Sequence, residues 1–316
     1  LIFYTAICVA GATNSICRRA RSDIRLAIPP ALCACGMEKS VENHINNEKQ
    51  YRAIALDLDG TLTDSNKQLP KENKEAIWKA IDSGCAVILA SGRPVLGIAA
   101  IADELELKER GGYVLAYNGG SIIDWKTGKL MYENMLPAEC IHDICELADE
   151  NGVVALTYND DSIVAENDTD EYVIKEAKCN NAPVLKLDNL EEYVDYPVSK
   201  FLVVGEHEKL LPVQEALLSK HGDRLDAFFS ESYFLEVVPK GVSKSASLDS
   251  LLTGLGIDRS ELIACGDGMN DIPMLEYAGL AVVMENAYPE VKKYAGYITE
   301  SNDNCGVARA IEKFLL

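Results

Sequence analysis

The sequence is poor in basic residues. Its 316 residues include 30 Lys and Arg but 50 Asp and Glu, which gives a formal net charge of -20. Because an acidic surface repels nucleic-acid phosphates and anionic lipids, we expect neither nucleic acid nor a membrane as a partner. Long apolar runs are also missing, since no stretch reaches the roughly 18 residues that cross a bilayer. These absences predict a soluble protein.

Histidine is scarce, and cysteine does not occur in a metal-binding or disulfide pattern. The four histidines show no HxxxH spacing and do not pair with cysteines, which argues against a zinc hydrolase. From residue 37 onward the cysteines are scattered, several within apolar runs where a free thiol behaves as a small hydrophobe. This pattern excludes a secreted disulfide scaffold and favours the reducing cytoplasm.

The first 36 residues differ from the rest of the chain. They contain four arginines, four of the ten cysteines and a single acid, Asp23. A targeting peptide is one interpretation, but the apolar stretch precedes the basic run, the reverse of a secretory signal. We prefer upstream sequence read through before Met37. Residues 1–50 are therefore assigned to a leader, either disordered or not native to the protein, and are excluded from the fold prediction.

From residue 51, short apolar runs alternate with amphipathic stretches. Predicted strands cover residues 53–58, 86–90, 113–116, 262–265 and 280–284, and predicted helices cover 71–83, 95–105, 243–255 and 272–278. Such alternation is typical of a parallel sheet covered by helices. The predicted fold class is α/β, with a Rossmann-like, doubly wound parallel sheet.

Residues from about 130 to 238 have a different pattern. Predicted helices at 140–150 and 210–220 accompany separate strands at 153–158, 200–204 and 234–237. This pattern indicates an α+β insert within the parallel-sheet domain. The insert carries acidic runs at 159–161 and 166–171, which are typical of solvated loops.

The first motif is IALDLDGTLTDS, residues 54–65. Asp57 and Asp59 are two residues apart at the end of a predicted strand, so both carboxylates can face one pocket. Gly60 permits a sharp turn, and Thr61 offers a hydroxyl and an amide. Two such carboxylates also occur in calcium loops, sugar transferases and exposed turns, but the whole DLDGTL string favours a functional site.

The second motif is AVILASGR, residues 86–93. Ser91, Gly92 and Arg93 join a strand to a helix that begins with proline. A hydroxyl and backbone amides at a helix N-terminus bind phosphate oxygens. A strand–Ser-Gly–helix junction is common, however, so this motif carries weight only together with the others.

The third motif, GVSKSASL at residues 241–248, places Lys244 in the first turn of a helix that Ser243 can cap. A lysine there opposes the helix dipole unless an anion lies nearby. The alternative is an ordinary surface lysine.

The fourth motif is LIACGDGMNDIPML, residues 262–275. Asp267 and Asp271 are four residues apart beside glycines, with Asn270 between them. Their oxygens suit a hard cation such as magnesium. Helix capping is the alternative role for Asp271.

Together the four motifs resemble the haloacid dehalogenase superfamily of phosphatases, and within it the Cof-like hydrolases that have a large α/β cap of type IIB. The resemblance covers residues 51–316, with all motifs in order. It implies a core at 51–130 and 238–316 and a cap at 131–237. Two positions depart from the family pattern: Ser91 replaces the usual threonine, and Ser245 replaces the usual glycine. Neither change removes a chemical group that the reaction needs.

The resemblance also implies residue roles. Asp57 is the nucleophile, Asp59 the general acid and then the base, and Lys244 the cation that neutralises Asp57 and the phosphate. Mg²⁺ is the implied cofactor, bound by Asp57, the Asp59 carbonyl and Asp267, with Asp271 in support. The implied phosphate and substrate contacts are Thr61, Ser91, Gly92 and Asn270. For Asn118 a tight turn, and for Arg93 a surface charge, are the alternatives to substrate contact.

The predicted function is Mg²⁺-dependent hydrolysis of a small phosphorylated metabolite through an aspartyl-phosphate intermediate. Sugar phosphates, flavin mononucleotide and pyridoxal phosphate stay open as substrates, and so does the oligomeric state. A phosphomutase and a non-catalytic metabolite-binding protein are the alternatives. A dehalogenase is disfavoured because it needs neither Asp59 nor a metal.

Overall fold

The computed structural model describes residues 51–316, and the predicted leader, residues 1–50, lies outside the described residues. The strands are β1 (Ala53–Leu56), β2 (Ala86–Ala90), β3 (Tyr113–Ala116), β4 (Ser121–Asp124), β5 (Lys129–Glu133), β6 (Val154–Tyr158), β7 (Ile163–Ala165), β8 (Val184–Lys186), β9 (Phe201–Val204), β10 (Leu225–Glu231), β11 (Phe234–Pro239), β12 (Leu262–Gly266), β13 (Leu280–Val283) and β14 (Tyr297–Ile298). The helices are α1 (Lys71–Asp82), α2 (Val95–Glu104), α3 (Leu107–Arg110), α4 (Ile141–Glu150), α5 (Glu171–Asn180), α6 (Leu190–Tyr193), α7 (His207–His221), α8 (Lys244–Leu255), α9 (Ile272–Tyr277), α10 (Pro289–Lys292) and α11 (Gly306–Phe314).

The first sheet has eight strands in the order β14-β13-β12-β1-β2-β3-β4-β5. Strands from β14 to β3 are parallel, and β4 and β5 pair antiparallel at one edge. The α/β prediction with a doubly wound sheet is confirmed. The sequence analysis missed the β4–β5 hairpin because β5 is almost wholly exposed, and its apolar residues do not alternate with polar ones.

Helices pack on both faces of this sheet. Along β1, Ile54 and Leu56 join the apolar cluster formed with α1, α2 and α11, whereas Ala53 and Ala55 face α8 and α9. All four residues are fully buried. Burial of a side chain such as Leu56 contributes about 2 kcal/mol, so two-sided burial accounts for the continuous apolar run.

Strand β1 is shorter than the sequence predicted, because it ends at Leu56 rather than at residue 58. The chain turns immediately afterwards. The amide of Leu62 donates to the carbonyls of Asp57 (3.2 Å) and Leu58 (3.0 Å), and Gly60 adopts a left-handed φ of 79°. A compact loop at the strand end therefore carries both aspartates of the first motif.

The second sheet has six strands in the order β10-β11-β9-β6-β7-β8. All pairs are antiparallel except β7–β8. One face packs against α4 and α7. Leu156 and Leu202 on the other face belong to one apolar cluster with Leu96 and Tyr117. Because these two residues follow β2 and β3, the second sheet lies over the carboxyl edge of the parallel strands.

Three of the six cysteines in the described part of the chain, Cys85, Cys140 and Cys265, are buried, as predicted for thiols within apolar runs. Between residues 51 and 316, no helix combines the length and apolar character needed to span a membrane.

Candidate functional site

The four motifs meet at the carboxyl edge of the parallel sheet. Asp57 follows β1, Ser91 follows β2, Asn118 follows β3 and Asp267 follows β12. Backbone bonds tie these strand ends together, since the amide of Asp57 donates to the Cys265 carbonyl (3.0 Å) and that of Asn118 to the Ser91 carbonyl (2.9 Å). A cavity of about 720 Å³ opens here, between this edge and the second sheet. In open α/β sheets, ligands bind in the crevice at the carboxyl ends of the strands.

Lys244 is completely buried behind this cavity. Its Nζ donates to Asp57 Oδ1 (2.5 Å) and to Asp271 Oδ1 (2.6 Å). Ser243 caps the helix, since its Oγ accepts from the amide of Ala246 (3.2 Å). Burial alone would lower the pKa of Lys244, but Asp271 and Asp57 raise it above its ordinary value. The lysine therefore stays protonated, and two carboxylates supply the anion that its position in the helix requires.

Three carboxylates crowd around the lysine, since oxygens of Asp57, Asp267 and Asp271 lie within 4.8 Å of one another. Thr61 is fully buried, and its hydroxyl donates to Asp267 Oδ1 (2.7 Å). Asp271 Oδ2 accepts from the amides of Asp267 (3.0 Å) and Gly268 (2.9 Å). Asp271 thus combines two roles, because it caps the turn Met269–Asp271 with one oxygen and holds Lys244 with the other.

This crowding changes the ionisation of the carboxyls. Burial, followed by the charge of Asp271, raises the pKa of Asp57 well above its usual range, and Lys244 opposes the shift. Burial also raises the pKa of Asp267 to about 6. A bound divalent cation would favour the ionised forms, and clustered carboxylate oxygens are the donors that a hard cation prefers. The residues present therefore fit Mg²⁺.

Asp59 has different partners, and its carboxylate is not part of the three-carboxylate cluster. Arg93 binds it through Nε (2.7 Å) and Nη2 (2.6 Å), and Lys67 Nζ adds a third contact at 2.6 Å. Burial acts to raise the pKa of Asp59, but these two cations outweigh it and lower the pKa below its ordinary value. With a side chain only 13% exposed, Arg93 is not a surface charge. Lys67 carried no sequence signal.

The remaining predicted contacts line or support the cavity. Ser91 Oγ accepts from the amide of Arg93 (3.2 Å), and Asn270 Nδ2 lies 3.5 Å from Asn118 Oδ1. Asn118 has a left-handed φ of 56° and also faces the cavity. Asn118 therefore forms a tight turn with Gly119 and is also part of the cavity wall. Gly92 and Asn270 line the cavity as well.

The second sheet, helix α5 and the residue before β9 supply cavity residues that the sequence analysis did not identify. They are Glu176, Cys179, Asn180, Lys200, Phe228, Phe229, Ser230, Glu231 and Glu236. One signal was available: Glu236 is a charged residue in the middle of the buried apolar strand β11. The others carried no comparable signal in the sequence.

Comparisons with known proteins agree on one family. A family model described as haloacid dehalogenase-like hydrolase matches residues 54–311. A solved haloacid dehalogenase-like hydrolase from Bacteroides thetaiotaomicron is 45% identical, with a TM-score of 0.81, and the match covers 83% of this chain and 99% of that chain. The 5-amino-6-(5-phospho-D-ribitylamino)uracil phosphatase YwtE of Bacillus subtilis is 29% identical over 84% of this chain and 98% of its own length. The HMP-PP phosphatase of Serratia proteamaculans is 30% identical over 77% of this chain and 86% of its own.

Proposed function

Because the chain belongs to the haloacid dehalogenase-like hydrolase family and is a phosphoric monoester hydrolase, we propose that it hydrolyses a small phosphorylated metabolite with Mg²⁺ through an aspartyl-phosphate on Asp57. The observation that supports this proposal best is the buried Lys244, bonded to Asp57 and Asp271 beside Asp267. Few arrangements other than a site for a phosphate and a cation explain three carboxylates and a lysine at one strand edge.

In the first step, a carboxylate oxygen of Asp57 attacks phosphorus and the ester bond to the leaving oxygen breaks. Asp59 donates a proton to that oxygen and afterwards takes one from the water that hydrolyses the acyl phosphate. Arg93 and Lys67 hold Asp59 ionised in this structure. We propose that these cations turn to the substrate phosphate when it binds, which lets Asp59 take up its proton.

Other residues position the phosphoryl group. Lys244 neutralises charge that Asp57 shares with the phosphate, and Ser91 and Gly92 contact its oxygens at the N-terminal end of α2. Thr61 fixes Asp267 through its hydroxyl, and its assignment as a phosphate contact stays a prediction. We assign Asn118 and Asn270 to the substrate side of the cavity.

The proposed metal site consists of Asp57, the main-chain carbonyl of Asp59, and Asp267, with Asp271 supporting them through Lys244 and the loop amides. When bound, Mg²⁺ neutralises negative charge and aligns the phosphate, contributions that dominate phosphoryl transfer. Gly60 allows the loop after β1 to lie close to Asp267, since a Cβ atom at residue 60 would collide with the carboxylate of Asp267.

We propose residues 51–130 and 238–316 as the core domain and 131–237 as the cap. The relatives named above act on phosphorylated metabolites, and the cavity volume of about 720 Å³ accommodates a substrate of that size. A sugar phosphate or a similar phosphomonoester is the proposed substrate.

The first test is phosphate release from p-nitrophenyl phosphate and a panel of sugar phosphates, with Mg²⁺ or with EDTA. We expect turnover that requires Mg²⁺ and falls by at least about a thousandfold in Asp57→Asn, because the nucleophile is lost. The matched control is Asp161→Asn, at an exposed loop residue, which should retain wild-type turnover. Activity that survives in Asp57→Asn would contradict an aspartyl-phosphate intermediate on Asp57. A folded wild type without turnover would favour a mutase or a binding protein.

A further inference from the structure

A buried ion pair lies in the cap wall of the cavity. Lys200 Nζ is 2.9 Å from Glu236 Oε2, and the two side chains are only 3% and 8% exposed. Leu202 pairs with Glu236 across β9 and β11, so Lys200, two residues before Leu202, lies on the same face of the sheet. Both residues line the same cavity as Asp57 and Asp59.

The surroundings of this pair are apolar. On the same face of the sheet, its neighbours Leu202 and Phe234 are buried apolar residues. Removing two charges from water is costly, and replacing a buried ion pair with apolar side chains is often neutral or stabilising. A charged pair at this position therefore indicates a role in the cavity rather than in stability.

The pair also lies next to the phosphate-binding loop. Lys200 Nζ donates to the carbonyl of Gly92 (3.2 Å), the residue between Ser91 and Arg93. Glu236 Oε1 accepts from Ser230 Oγ (2.9 Å), whereas Glu236 Oε2 has no well-directed hydrogen bond within residues 51–316 apart from its ion pair. The Glu236 carboxylate therefore keeps acceptor capacity beside its ion pair, which a hydroxyl group of the leaving group can use.

The charges of the cap wall disfavour a second anion. Three glutamates, Glu176, Glu231 and Glu236, face the cavity, and Lys200 is the single cation that the cap contributes among the described lining residues. Its charge is already compensated by Glu236. Glu176 accepts from the hydroxyl of Tyr158 (2.7 Å), so it is fixed in the wall as an acceptor.

We propose that Lys200 and Glu236 determine substrate specificity: they bind hydroxyl groups of an uncharged leaving group and reject a leaving group that carries a second anion. This inference rests on the proposed phosphatase function. It narrows the substrate to a monophosphate of a neutral, polyhydroxylated compound, and it excludes sugar-acid phosphates and bisphosphates.

The test compares matched substrates that differ in one carboxylate, at two chain lengths: glycerol 3-phosphate with 3-phosphoglycerate, and sorbitol 6-phosphate with 6-phosphogluconate. We expect the wild type to prefer the neutral member of at least one pair by about tenfold or more in kcat/KM. In Glu236→Gln the uncompensated Lys200 attracts the carboxylate, so this preference falls by at least about tenfold through a gain on the charged member. Misfolding does not explain such a gain.

The control is Glu215→Gln, which removes the same charge from an exposed position on α7, on the far face of the cap sheet, and should keep the wild-type preference. A folded Glu236→Gln protein with an unchanged preference would overturn the inference. If that variant does not fold, the uncharged double variant Lys200→Met, Glu236→Leu replaces it. Its KM should rise at least about fivefold more for sorbitol 6-phosphate than for p-nitrophenyl phosphate, and equal changes would also overturn the inference.

The two proposals fail differently. A wild type that hydrolyses p-nitrophenyl phosphate but does not discriminate within either pair overturns only the role of Lys200 and Glu236. A wild type that hydrolyses no phosphomonoester overturns the proposed function, and the inference with it.

Discussion

Asp59 shows how neighbouring cations decide the state of a single carboxyl group. A general acid must hold a proton, yet Arg93 and Lys67 lower the pKa of Asp59 despite its burial. The DLDGTL string identifies Asp59 as a candidate site residue, but it does not indicate which cation contacts this carboxylate. Arg93 lies 34 residues away in sequence and reaches Asp59 only because β1 and β2 are neighbours.

We predict that Arg93→Gln moves the alkaline limit of activity upward. A proton donor loses activity as the pH rises through its pKa, and removing the guanidinium raises the pKa of Asp59, so the high-pH limb of kcat/KM shifts to higher pH. In addition, kcat/KM near neutral pH falls by about tenfold or more, because a charge-assisted contact is lost. The measurement is a pH profile with a sugar phosphate, whose poor leaving group requires the acid.

Arg309→Gln is the matched control, since Arg309 is exposed and pairs with Glu312 on α11. Its profile should overlay that of the wild type. A profile of Arg93→Gln with an unmoved or lowered alkaline limb would contradict the assignment of Asp59 as the proton donor.

Among the secondary-structure elements, the contact between the Asn118–Gly119 turn and helix α8 positions Lys244. Ser247 Oγ donates to the Gly119 carbonyl (2.5 Å). A Cβ atom at residue 119 would lie 2.5 Å from Ser247 Oγ and 2.6 Å from the Ser243 carbonyl, and Gly119 has a φ of 104°. Only glycine fits, so this turn sets how closely the start of α8, and with it Lys244, approaches the sheet.

Gly119→Ala should therefore destabilise the protein by about 3 kcal/mol, from backbone strain and overpacking together. It should also lower kcat by about a hundredfold, because the start of α8 must shift. Urea unfolding and phosphate release measure the two effects. Gly128→Ala separates strain from packing, since Gly128 has a φ of 69° but nothing within 4 Å of the added Cβ.

We expect Gly128→Ala to cost about 1 kcal/mol and to keep wild-type turnover. If the two alanine variants behaved alike, backbone strain alone would explain both, and the proposed positioning of α8 would be wrong.

For the whole molecule, the carboxylate cluster links stability to pH. The pKa of Asp267 rises to about 6 because burial disfavours its charged form. Between pH 4 and 6 the folded protein thus binds a proton that the unfolded chain has released, and this group makes the metal-free protein less stable as the pH rises. Above pH 6 the destabilisation is complete, and a cation bound by the cluster would relieve it.

We predict that at pH 8 Mg²⁺ raises the Tm of the wild type and that EDTA reverses the change. At a hundredfold excess of Mg²⁺ over its Kd, the free energy of unfolding should rise by about 2.7 kcal/mol. Asp267→Asn should lose this response. Without metal it should be more stable than the wild type above pH 6, and the difference should vanish below pH 4. Thermal unfolding across this pH range is the measurement.

The exposed Asp161→Asn substitution again serves as control and should respond to Mg²⁺ like the wild type. Two results would argue against the metal site: a Mg²⁺ response in Asp267→Asn equal to that of the wild type, or a metal-free variant less stable than the wild type at pH 8.

Local sequence was sufficient for much of the fold. Continuous apolar runs predicted β1, β2, β3, β12 and β13, because strands buried on both faces need no polar residues. Patterns that depend on partners were missed: exposed β5 forms only by pairing with β4, and the three-residue strands β7 and β8 are too short to show a period. The runs at 159–161 and 166–171, predicted to lie in solvated loops, are largely exposed and lie in loops except for Glu171, which begins α5.

For the site, the sequence by itself determined which chemistry-bearing residues follow which strands, because a parallel sheet brings the ends of its strands to one edge. Asp57, Ser91 and Asp267 could be grouped on that basis alone. Only the tertiary structure decided that Arg93 and Lys67 bind Asp59, and that Lys200 pairs with Glu236 in the cavity wall. These contacts join residues from separate loops and from the two sheets, and no local pattern encodes which side chains meet when separate elements pack.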